Sequence, residues 1–213
     1  ASVRAISEAR HESMLRKNLL SLSRVISSVQ SLEDVDEKFG EIILDISDSY
    51  RVSVTRLIDS DNKIVNMLVI GDDIPILSKG KEHSLARHNG PLWMHEKSAY
   101  LSEHSLQDSF GDVRWADHIA FENGLQSFMA APIIWQGKNI AGITFRSKNP
   151  NNFTSAHLDI ANAIADQIAG TIANQIALKE SIAATRERDL LAQISRVITT
   201  TQGIDDNFEE LAE

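Results

Sequence analysis

An α+β domain organised around antiparallel strands follows from three patterns in this 213-residue chain. Two pairs of β-rich runs are each joined by a turn-forming triplet, so the strands come as hairpins. Helical periodicity brackets them, before Tyr50 and again from Thr154 onward. A long irregular stretch separates the hairpins and carries one short helix. Strands and helices that are segregated along a chain, and not alternating, indicate α+β architecture and not a parallel sheet.

The first helix is expected to run to about Gln30. Leu15, Leu19, Leu22, Ile26 and Val29 recur at a/d spacing, which suits either an amphipathic helix on its own domain or a dimer seam. Ser31 and Asp34 resemble a capping box for a second helix, whose Val35, Phe39, Ile42, Ile43 and Ile46 form a core face. Gly40 on that helix allows close packing. Residues 51–59 and 63–70 are β-type runs around Ser60-Asp61-Asn62, and residues 127–135 and 139–146 flank Gln136-Gly137-Lys138. Pro132 cannot donate to a ladder, so it marks an edge or a bulge. A further short strand is expected at 99–102 and a helix at 113–122. The whole stretch 71–123 holds five of the seven histidines and two of the three tryptophans. A connection of that length and composition points to function.

Phe153-Thr154 opens the last helix, with Thr154 as N-cap and Phe153 stapled to Leu158. Ile160, Ile164, Ile168, Ile172 and Ile176 continue it as one apolar row, and no proline intervenes before Gln202. Such a helix is about 70 Å long, too long for one small domain to bury, and reads as a connector. Within it the chain begins to repeat. Leu19 to Gln30 returns as Leu191 to Gln202 at a constant offset of 172 positions, a period that suits one globular domain plus its linker. The organisation expected is an incoming linker helix at 1–12, a domain at 13–180, and at 181–213 a connector with the start of a second copy. Leu15, Leu19 and Leu22, with the seam repeated in Leu191, Ile194 and Ile198, predict a homodimer through helices.

Composition excludes several chemistries. The chain has no cysteine, so disulfides, thiolate nucleophiles, Cys-ligated zinc and thioether-linked chromophores are all out of reach. A net charge of −9 with scattered basic residues argues against a nucleic-acid partner. No apolar run approaches the ~20 residues of a membrane span, and no leader precedes the helices. A cytoplasmic location without membrane contact is expected.

Gly124-Leu125-Gln126-Ser127-Phe128-Met129-Ala130-Ala131-Pro132-Ile133 resembles a strand motif of GAF domains. The likeness continues through Gly137, Ile140-Ala141-Gly142-Ile143, Phe153-Thr154 and Ile164 to Ala169, and Asp108 and Phe110 are similar to a middle motif of that family. It spans about 14–180 and is most specific over 124–174. The resemblance implies a central antiparallel sheet of about six strands. Helices 13–30 and 154–177 would lie on one face, and the 71–123 segment would lid a pocket on the other. It implies a non-catalytic sensor in a multidomain signalling protein of the sensor histidine kinase type, in which an unknown small molecule biases the terminal helices. The bilin-attaching cysteine of light-sensing relatives is absent, as is the cysteine of free methionine sulfoxide reductases. The Asn-Lys-Phe-Asp-Glu signature of cyclic-nucleotide-binding relatives has no match. His11-Glu12 resembles a phosphoacceptor box, but the glycine boxes of a kinase are missing, and no serine has a triad's partners at informative spacing.

The ligand pocket is expected at Trp93, Tyr100, His104, Phe110, Trp115, His118 and Phe121. Each aromatic taken singly reads equally as core under a lid. His104 or His118 could ligate haem, as in some relatives. His83, His88, His95 and His104 with Glu82, Glu96 and Glu103 match no zinc spacing, so solvated histidines are the plainer reading and no metal site is assigned. Arg114-Trp115-Ala116-Asp117-His118 either orients an anionic or aromatic effector or docks its Trp while the charges face water; the second is simpler. The functional readings are thus a small-molecule sensor, a haem- or metal-based redox or gas sensor, and a ligand-free dimerisation spacer.

Overall fold

The computed structural model describes Leu20 and residues 37–58, 63–84, 96–101 and 115–210. The expected first helix with Leu15, Leu19 and Leu22, and the turn at Ser60-Asp61-Asn62, lie outside these residues. The chain divides into two units, Ala1–Ala173 and Asn174–Glu213.

In the first unit, helix α1 (Glu37–Ile46) leads into β1 (Arg51–Ile58) and β2 (Lys63–Gly71), then a 3-10 turn (Pro75–Leu77), β3 (Glu82–Ser84) and β4 (Tyr100–Leu101). Helix α2 (Trp115–Glu122), β5 (Ser127–Trp135) and β6 (Lys138–Ser147) follow, and α3 (Ser155–Glu210) ends the series. The six strands form one sheet in the order β3-β2-β1-β6-β5-β4, and every pairing is antiparallel. Both hairpins fall within a residue or two of expectation. The turn and β3 are three residues each, too short to show periodicity, and were not foreseen.

Strand alternation gives the sheet two unlike faces. Val52, Val54, Ile143, Phe145, Met129, Ala131 and Ile133 are all fully buried and share one face by register. Both flanking helices belong to it. On α1, a Cβ at Gly40 would come within 2.8 Å of Ile70 Cγ2, and Ile70 pairs with Val52. On α3, a Cβ at Gly170 would stand 3.5 Å from the ring of Trp135, which follows Ile133 by two on the same strand. Gly40 is therefore the close-packing position that its place on an apolar helix face suggested, and the segment of α3 around Gly170 lies on the face expected of the terminal helix. β4 reaches only Met129 and Ala130 of β5, so among the described residues Pro132 needs no outer partner, and the ladder shifts register just after it, between Ile133 and Ile134.

The start of α3 is capped in an unexpected way. Thr154 donates its backbone N–H to His157 Nδ1 at 3.0 Å, and its hydroxyl meets the same nitrogen at 3.0 Å. His157 thus acts at the third helical position as Glu does in a capping box. Its ring stands edge-on to buried Phe153, with centroids 5.9 Å apart. In the second unit α3 continues as helix to Glu210. Leu178, Ile182, Leu190, Leu191, Ile194 and Val197 are exposed along it.

Candidate functional site

The opposite face of the sheet is polar and small at its centre. Register aligns Val69, Ser53, Thr144, Ala130 and Tyr100 in one row across β2, β1, β6, β5 and β4. The next row holds Asn66, Thr55, Gly142 and Pro132. Small residues flanked by Tyr100 on one side and Asn66 on the other make a low floor. Asn66 is fixed by two bonds, accepting from Thr55 Oγ1 at 2.9 Å and donating to the Leu77 carbonyl at 2.8 Å.

The floor is closed at one end by a row of cations. Arg51, Arg146 and Phe128 pair across β1, β6 and β5, so their side chains project from the same face. Arg51 is 1% exposed and Arg146 is 7% exposed. Arg51 donates to the carbonyls of Asp72 and Leu77, the latter at 2.7 Å. Burial, with the Arg146 charge second, lowers its pKa to about 10, and Asp73 and Asp72 only partly offset this. Arg146 lies over the Phe128 ring at 5.1 Å and donates Nη2 to Asp117 Oδ1 at 2.5 Å.

That ion pair ties helix α2 to the sheet. Beside it, Ala116, Ile119 and Ala120 of α2 pack with Ile74, Leu77 and Leu125. The 3-10 turn is thereby held from two sides, by the helix and by the donors of Arg51 and Asn66. Opposite, the 96–101 segment is pinned where Ala99 N donates to Asn162 Oδ1 at 2.8 Å and Asn139 Nδ2 donates to the Glu96 carbonyl at 2.9 Å.

Of the residues expected to line the site, the structure places three. Tyr100 is half-buried and shares the floor row by register. His118 and Phe121 are half-buried on α2, and His118 Nδ1 faces Glu122 at 3.6 Å with its side chain 42% exposed. Trp93, His104 and Phe110, and the side chain of Trp115, lie outside the described residues, as does that of Ile198 in the dimer set. Leu191 and Ile194 of that set are exposed. One simple expectation is corrected. The charges on α2 do not all face water, because Asp117 is 7% exposed and bonded to Arg146. Arg51, Arg146 and Asn66 were missed altogether. The available signal was alternation, since Arg146 follows Phe145 and Arg51 precedes Val52, which puts each arginine on the face opposite the dry one. Among the described residues no three His, Asp or Glu side chains could hold a metal ion, and no helix is long and apolar enough to cross a membrane.

The sequence matches the GAF domain family over residues 29–173. The chain belongs to the GAF domain family. Among solved structures it is similar to the GAF domain of an Acinetobacter phosphoenolpyruvate-protein phosphotransferase, with 17% identity, TM-score 0.62, and coverage of 78% of this chain and 98% of that one. It is similar to the free methionine-R-sulfoxide reductase of Neisseria meningitidis bound to its substrate, with 12% identity, TM-score 0.59, and coverage of 75% and 89%. A phycoerythrobilin-bound GAF domain from a cyanobacterial phytochrome matches at 15% identity and TM-score 0.55, covering 75% and 94%. At these identities the likeness is one of fold. No curated protein matches the sequence. GAF domains serve signalling proteins as sensing modules, and in this one the polar sheet face with α2 over its edge is the candidate site.

Proposed function

We propose that this GAF domain is a non-catalytic small-molecule sensor of a multidomain, cytoplasmic signalling protein of the sensor-kinase type. The observation that carries the reading is the polar face. Small residues form a floor there, charged and amide groups fence it, and one ion pair holds the helix at its edge. A face meant only for packing would be apolar, like the opposite one. Without cysteine, the family's thiol-dependent chemistry has no nucleophile here. A ligand that favours one arrangement of the site shifts a conformational equilibrium only by its differential affinity for the two states. Helix α3 starts beneath the sheet and runs on through the second unit, which makes it the element to carry that shift onward.

The same reading includes a homodimer through the terminal helices, supported by the apolar side chains exposed on α3 and by the seam repeated after 172 positions. Melting of the chain against a panel of metabolites tests the sensor. A true effector at ~100 times its Kd adds about 2.7 kcal/mol to stability and raises Tm saturably. If no compound in the panel moves Tm, the domain is a spacer and the proposal falls.

A further inference from the structure

The polar face contains more donors than the described residues satisfy. Arg146 Nη1 is fully enclosed and, among the described residues, has no hydrogen-bond partner. The same guanidinium gives Asp117 a single bond, although its geometry allows two parallel ones to a carboxylate. Arg51, directly across on β1, bonds carbonyls and no carboxylate among the described residues. Two buried guanidinium groups therefore answer to one bonded carboxylate. The next row of the same face holds Ser53 and Thr144 opposite each other, and neither hydroxyl makes a hydrogen bond among the described residues. They follow Arg51 and precede Arg146 by two positions, about 7 Å along the strands.

We propose that this face takes a small carboxylate-bearing molecule, its carboxylate on Nη1 of Arg146 and its body over Ser53, Thr144 and Ala130. The inference rests on the sensor reading above and names its ligand class. A water at Nη1 would satisfy the donor but supply no negative charge beside the two guanidinium groups, where Asp73 and Asp72 only partly offset the burial of Arg51. A carboxylate does both, and in a desolvated setting a charge-assisted bond is the stronger one. The Phe128 ring lies 5.1 Å from the guanidinium carbon of Arg146, so packing as well as the Asp117 bond holds that side chain in place. Beside Arg146 the described floor offers the hydroxyls of Ser53 and Thr144 and the small side chain of Ala130, with Val69 and Tyr100 at the ends of that row, which suits a short acid. Asp117 is the resident competitor. An incoming carboxylate meets the guanidinium that holds α2, so occupancy and the position of α2 are coupled.

The test uses the full chain with sodium salts of C2 to C6 mono- and dicarboxylic acids. The corresponding primary amides, and sodium chloride at equal ionic strength, serve as comparisons. At least one acid should raise Tm saturably while its amide and the chloride do not. Asp117→Asn removes the competing charge at constant shape and should tighten that acid's Kd about tenfold. Arg146→Gln should weaken it about ten- to a hundredfold. Should Arg146→Gln fail to fold, the Asp117→Asn result decides. An amide that binds as well as its acid, or tighter binding that does not appear in Asp117→Asn, overturns the carboxylate site and leaves the sensor reading intact. No response to any acid overturns it as well, and the metabolite panel then shows separately whether the sensor reading survives.

Discussion

Gly71 and Gly137 both have positive φ, +84° and +77°, yet only one of them is irreplaceable. A Cβ at Gly71 would lie 2.1 Å from the Tyr50 carbonyl oxygen, whereas one at Gly137 meets nothing within 4 Å. The close approach at Gly71 exists because Asp72 N donates to that same carbonyl at 3.0 Å, which turns the chain toward the carbonyls that Arg51 uses. Gly71→Ala should therefore cost about 3 kcal/mol or more, from backbone conformation and clash together. Gly137→Ala carries only the left-handed penalty of about 1–2 kcal/mol, and Gly137→Asn less. Urea denaturation of the two alanine variants measures the difference, and equal costs would mean that the Tyr50 contact relaxes freely. Composition and turn signals made Gly137 legible as a hairpin residue. Nothing local to Gly71 announces the contact, because its partner is 21 positions away and meets it only through the β1–β2 register.

Elements with many residues in phase were readable, and elements fixed by partners were not. The hairpins announced themselves through runs of eight to ten β-favouring residues, and α3 through its isoleucine row. β3 owes its existence to pairing with β2. The 3-10 turn owes its place to Arg51 and Asn66, so neither had a pattern of its own to read. The site followed the same rule. A short strand at 99–102 and a helix at 113–122 were expected within a segment singled out by its length and its aromatic content, but burial of Arg146 depends on a carboxylate 29 positions away. At the head of α3 the N-cap residue was legible and the capping mode was not, since His rarely stands in for Glu. His157→Ala should cost the helix about 1 kcal/mol by leaving Thr154 N–H without its acceptor. His157→Glu should keep the cap and add a favourable charge at the helix N-terminus, leaving stability equal or slightly higher. Thermal denaturation of the two variants decides; an alanine variant as stable as the parent would mean that water replaces the ring nitrogen without loss.

The second unit presents a different physical problem from the first. Leu190, Leu191, Ile194 and Val197 are 59%, 58%, 54% and 65% exposed, on a helix that has no sheet to lie against within Asn174–Glu213. Exposed apolar side chains recurring at spacings of three and four on one helix are the pattern of a seam that awaits a partner. Leu190, Ile194 and Val197 define one such stripe and Leu191, Ile194 and Ile198 a neighbouring one, so Ile194 belongs to both. A second copy of the chain supplies the same stripe in the same register, which is the simplest way for both to be covered. Ile194→Lys in the full chain should therefore convert a dimer to a monomer, read as a halving of the mass in light scattering at micromolar concentration. Arg196→Glu, a charge change on the opposite side of the helical repeat from both stripes, should leave the dimer intact. Circular dichroism of Ile194→Lys should show the sheet domain folded with unchanged Tm, because residue 194 lies outside the unit that holds the sheet. A dimer that persists in Ile194→Lys would move the contact away from both stripes, toward Leu15, Leu19 and Leu22, whose spacing predicts the other seam.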